Sequence, residues 1–97
     1  MISESQALDA LKGVIDPDIG INIVDLGMVE RVAAGPDGVS VALIMTTPAC
    51  PQSGYLRDES MRRLTQAGAN PVTVSVVETP LWDPSRLSAD AKQILGW

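Results

Sequence analysis

Cys50 is the chain's one cysteine, and it stands in "LIMTTPACPQSG" (43–54), where an apolar run passes two threonines before the thiol and Pro51. A helix beginning at Pro51 would put proline at its first position, where the missing N–H costs nothing, and Cys50 at the N-cap. There the sulfur would face unpaired amides and the positive end of the helix dipole, both of which favour thiolate over thiol. A thiolate is what a metal or an electrophile needs, and Thr46 and Thr47 offer hydroxyls to whatever it holds. The other reading is a small, inert, buried cysteine, the commoner fate of a lone one. Its place in a strand-to-helix turn, where α/β folds put ligand chemistry, favours the reactive reading.

A second group is acidic. The stretch "DPDIGINIVDLG" (16–27) carries Asp16, Asp18 and Asp25, in a spacing that lacks the ligand register and closing Glu of an EF-hand. Asp16 and Asp18 read as turn-makers. Asp25 lies between Val24 and Leu26, so burial would oblige it to find donors in the backbone or in the threonine loop.

Absences narrow the chemistry. With no His, a His-based triad, a Cys-His pair and an ordinary Cys/His zinc site are all ruled out within one chain. One thiol cannot close a four-thiolate iron–sulfur site either, so any cluster ligated by Cys50 would be shared with a second copy or a partner. No residue is assigned a catalytic role.

The elements that must position these residues follow from periodicity. Ser3 with Gln6 makes a capping-box pattern, and Ala7, Leu8, Leu11 and Val14 follow at helical spacing, which predicts a helix over 3–14. Residues 28–34 and 39–45 read as strands joined by the turn "GPDG" (35–38), a β-hairpin. The second helix puts Leu56, Met61, Leu64 and Ala67 on one side, pairs Asp58 with Arg62 and Glu59 with Arg63, and closes at Gly68. "NPVTVSVVETP" (70–80) alternates Val72, Val74 and Val76 with Thr73 and Ser75, a third strand with one buried face. Ser88 caps a last helix through Leu95. Trp82, in the proline-bounded "PLWDP", reads as a lid on the core edge, with Trp82 and Trp97 as alternatives for an interface.

The order α-β-β-α-β-α predicts a single domain over 1–97, an α/β (α+β) sandwich with a small mixed three-stranded sheet and helices packed on it. Ninety-seven residues with 45% hydrophobic and 20% charged side chains suit one small core. A net charge of -5 with scattered basic residues excludes a nucleic-acid surface, and 3% aromatics excludes an aromatic stacking platform. No basic leader or bilayer-length apolar run is visible, which predicts a cytoplasmic protein without a membrane partner.

Taken together, "DPDIGINIVDLGMV", "TTPACP" and "LWDPSRLSADAKQILG" resemble the MIP-eighteen-type domain of the PaaD/SufT-like iron–sulfur cluster assembly factors. The resemblance spans 14–96. It implies a compact α/β domain, a homodimer, that helps deliver or insert clusters into client proteins. The family's reactive cysteine falls on Cys50, its threonines on Thr46 and Thr47, and the aspartate of its DLG block on Asp25. The cofactor-binding set is thus Cys50, Thr46, Thr47 and Asp25, with Cys50 as the metal ligand and a transient iron–sulfur cluster as the cofactor. Asp18 and Met28 stand where that pattern more often has Glu and Leu. Gln52 follows the Cys-Pro pair, where an apolar residue is common. The partners implied are scaffold or client proteins. Two rival readings are a protein-binding adaptor that holds no metal and a thiol enzyme with Cys50 as nucleophile; the latter lacks a resolving cysteine and a histidine base.

Overall fold

A computed structural model describes residues 2–46 and 52–97. The elements run α1 (Glu4–Leu11), β1 (Val29–Gly35), β2 (Gly38–Leu43), α2 (Ser53–Gln66), β3 (Val72–Val76), a 3-10 turn (Pro84–Arg86) and α3 (Ala89–Leu95). The predicted order is the observed one. No helix among the described residues is long and apolar enough to cross a membrane.

Each start has a local cause. Ser3 Oγ accepts from the Gln6 amide at 3.1 Å while Gln6 Oε1 accepts from the Ser3 amide at 2.8 Å, so the capping box is formed on both sides. Ser88 Oγ accepts from the Ala91 amide at the head of α3. α1 ends earlier than its periodicity suggests. The Gly13 and Val14 amides reach only three residues back, to Ala10 and Leu11, and this tightened turn delivers the chain into the bridge between Ile15 and Asn22.

The sheet order is β1-β2-β3, with β1 antiparallel to β2 and β2 parallel to β3. The hairpin turns at Gly35–Gly38, as its turn residues require. Gly38 has φ +109, and a Cβ there would come within 2.3 Å of the Pro71 carbonyl oxygen, so only glycine lets β2 start against β3. The core lies on one face of the sheet. Val39, Val41, Leu43 and Val74 pack with Ala7 and Leu11 of α1, Leu56 and Leu64 of α2, and Ile21, Ile23, Leu26 and Met28. Ser40, Thr73 and Ser75 are exposed on the opposite face.

Two details of α2 depart from the sequence reading. Its buried stripe is Leu56, Ser60 and Leu64, while Met61 is exposed at 37% and Ala67 is exposed. At 100° per residue Met61 projects well away from that stripe, and Ala67 is already the C-cap, where the chain is turning. Ser60 tolerates burial because its hydroxyl donates to the Leu56 carbonyl at 2.6 Å. The charge pairs also shift: Glu59 accepts from both Arg62 and Arg63, and Asp58 pairs with Arg57 instead of Arg62. In β3 only Val74 is buried; Val72 is half-buried, and Val76 opens to solvent at the strand's end.

Candidate functional site

A cavity of about 630 Å³ lies at the carboxyl ends of the parallel pair β2 and β3. This size suits small-ligand and side-chain binding, and the end of a parallel pair is where open α/β sheets place it. Ile44, Met45 and Thr46 line it from β2's exit, and Val76, Val77 and Glu78 from β3's. Thr79, Pro80, Leu81 and Trp82 form the wall opposite, and Ser53 marks the head of α2. The surface is mixed, more apolar than polar, with three hydroxyls, from Thr46, Ser53 and Thr79. Glu78 is its one ionisable group among the described residues.

Thr46 and Ser53 both line the cavity, so the segment between them starts and finishes at its rim. That segment holds Thr47 and Cys50, which lie outside the described residues. The helix start does correct one expectation. α2 begins at Ser53 with Gln52 in the cap position, φ -91 and ψ 1, and with no side-chain cap bond. Cys50 is therefore not the N-cap, which falls two residues later.

The wall containing Trp82 is held by the block that contains Asp25. Trp82 Nε1–H donates to the Leu26 carbonyl at 2.6 Å, Arg86 Nε–H to the Gly27 carbonyl at 2.8 Å, and the Ser88 amide to the Asp25 carbonyl at 2.8 Å. Arg86 continues to Glu30 at 2.9 Å. Gly27 sits at φ +74, and a Cβ there would meet the Arg86 carbonyl oxygen at 2.3 Å, so the contact requires a residue without a side chain. The lid reading of Trp82 holds. Trp97, in contrast, is 64% exposed.

Asp25 itself is only partly buried. Its carboxylate accepts from the Asn22 side chain at 2.8 Å, and its amide donates to Asn22 Oδ1 at 2.9 Å. The carboxylate's donor is the Asn22 side chain, a route the sequence reading did not consider. Asp25 is not among the cavity's lining residues; its block reaches the cavity through Leu26 and Trp82. Asp16, at 2% exposure, is the buried acid. Its carboxylate accepts from the Asp18 amide at 2.9 Å and its carbonyl from Gly20 at 2.7 Å, the turn role its Asp-Pro context predicts. No three His, Cys, Asp or Glu side chains gather to hold a metal ion among the described residues. Sequence reasoning missed Arg86, Gly27 and Ser53; the "DLG" glycine was visible, but its partner lies 59 residues away.

The comparisons with known proteins agree with this fold. Residues 4–76 match the family described as "Iron-sulfur cluster assembly protein". A Porphyromonas gingivalis protein named "Fe-S protein maturation auxiliary factor" is 31% identical over 97 residues, covering 98% of this chain and 92% of its own length. The Staphylococcus aureus "Fe-S protein maturation auxiliary factor SufT" is 35% identical over 85 residues, covering 86% of this chain and 97% of its own. A crystal structure of a domain of unknown function, DUF59, from Bacillus anthracis superposes with a TM-score of 0.91 at 33% identity, covering 96% of this chain and 91% of that one.

Proposed function

The chain belongs to the iron–sulfur cluster assembly protein family, and from that premise we propose that it is an accessory factor, without turnover chemistry of its own, that helps deliver clusters to client proteins in the cytoplasm. The observation that carries the reading is the cavity at the ends of β2 and β3, whose rim residues Thr46 and Ser53 bracket the segment bearing Cys50. In this reading the cluster is cargo. Cys50 supplies one thiolate, and the Thr46 and Thr47 hydroxyls donate hydrogen bonds to sulfur. Asp25 steadies the turn that, through Leu26, holds the Trp82 wall.

A single thiol per chain leaves the other ligands to a second copy of a homodimer or to the scaffold or client that receives the cluster. An incompletely closed shell suits transfer, because thiolates of the receiving protein can enter it one at a time.

The test is anaerobic reconstitution with iron and sulfide, comparing the wild type with Cys50→Ser by visible absorbance and native mass, with far-UV circular dichroism to confirm folding. The expected result is a coloured wild type and a colourless, folded Cys50→Ser. A folded wild type that never acquires colour, or a variant that colours equally, would move the reading to a metal-free adaptor.

A further inference from the structure

The sheet has two edges, and they are unlike. β1 carries a bulge between Val29 and Arg31 and the charged side chains of Glu30 and Arg31, features that discourage another strand from adding. β3 reads "VTVSV": no charge, no proline within it, and no irregularity in its register with β2. On its outer side no strand of the described residues pairs with it.

The phase of the ladder fixes which groups that edge offers. The Val39 amide donates to the Pro71 carbonyl at 2.9 Å and the Val77 amide to the Leu43 carbonyl at 2.8 Å, with Val39 opposite Val72 and Leu43 opposite Val76. In a parallel ladder this turns the backbone of residues 71, 73, 75 and 77 toward β2. The N–H and C=O groups of Val72, Val74 and Val76 therefore point off the sheet.

We infer that this edge pairs antiparallel with the β3 edge of a second copy, about a twofold axis at Val74. An isologous twofold contact requires a strand complementary to its own reverse, and this strand is. With Val74 opposite Val74, Val72 falls opposite Val76, and these are the three residues whose backbone groups point outward. Each pair can exchange both of its N–H···O bonds. Thr73 falls opposite Ser75 at the closer, non-hydrogen-bonded positions on the exposed face, so two hydroxyls meet. Beyond the strand, Val77 falls opposite Pro71 and then Glu78 opposite Asn70, so a chain of net charge -5 brings no like charges face to face across this edge.

The pairing extends three strands to six and covers the unprotected edge. It sets Val76 of one copy roughly 13 Å along the strands from Val76 of the other, so the two cavities do not merge and each remains open to its own client. None of residues 47–52 enters this pairing, and with the cavities apart the further cluster ligands come from the scaffold or client, so the pairing can fail or hold independently of cluster binding at Cys50.

The experiment uses the metal-free 97-residue chain in sedimentation equilibrium, with Thr73→Glu/Ser75→Glu and Thr73→Lys/Ser75→Lys as paired variants. Both positions are exposed, so the variants fold, as circular dichroism will verify. The wild type is expected to reach twice the 10.2 kDa of one chain. Each variant alone should stay at the single-chain mass, and an equimolar mixture of the two should restore the doubled mass by placing Lys opposite Glu. Hydrogen exchange at the Val72, Val74 and Val76 amides should slow as wild-type concentration rises. A wild type that remains a single chain up to about 1 mM overturns the inference. So do variants that dimerise like the wild type, a mixture that fails to associate, or exchange at those amides that ignores concentration.

Discussion

One added carbon at Gly27 tests the link between the acidic block and the tail more sharply than any charge change. Gly27→Ala must take φ +74 and push a methyl group into the Arg86 backbone. A loss of roughly 2–4 kcal/mol is expected in urea unfolding, against a few tenths for an open glycine such as Gly35→Ala. Trp82→Phe keeps an aromatic ring, though a smaller one, and removes the donor to the Leu26 carbonyl, and should cost about 1–2 kcal/mol. Equal stability in either variant would mean that the tail is not held by these contacts.

At the scale of elements, α2 carries a pH-dependent contribution. Hydrogen bonds from Arg62, and then from Arg63, hold the Glu59 carboxyl below its ordinary value of 4.5. A folded-state value below the unfolded one means stability that is present above the unfolded value and lost as pH falls through the folded one. Wild type should therefore exceed Glu59→Gln in melting temperature at pH 6 to 7, with the gap closing below about pH 4. A gap that persists into strong acid would assign the difference to packing. On the same helix, Leu64→Ala empties a fully buried position and should cost about 2–5 kcal/mol, whereas Met61→Ala, on the exposed side, should cost well under 1 kcal/mol in the same unfolding assay.

The whole molecule depends on its last nineteen residues more than their short elements suggest. Leu87 and Ala91 are buried in the common core, and Trp82 packs against it. A chain ending at Glu78 should lose roughly 3–6 kcal/mol, a large part of a small domain's stability, and its unfolding should broaden. Cooperative unfolding at wild-type denaturant concentration would show that the hairpin, α2 and β3 stand without the tail.

What the sequence by itself determined is what local chemistry controls. The capping box at Ser3, the cap at Ser88, the turn at 35–38 and the period-two valines of β3 each depend on neighbours within a few residues, and so the element order was legible, as was the family through its three motif blocks. The tertiary structure alone decided how those blocks meet. The partners of Leu26 and Gly27 lie 56 and 59 residues away, and no periodicity encodes such a pairing. The same holds for the direction Met61 faces, the shift of the α2 cap to Gln52, and Asn22 as the partner of Asp25. Each was settled by which surfaces the packed core had to cover. The free edge of β3 is the clearest case: its valine alternation is written in the chain, but the direction in which its amides point is set only by the phase in which it pairs with β2.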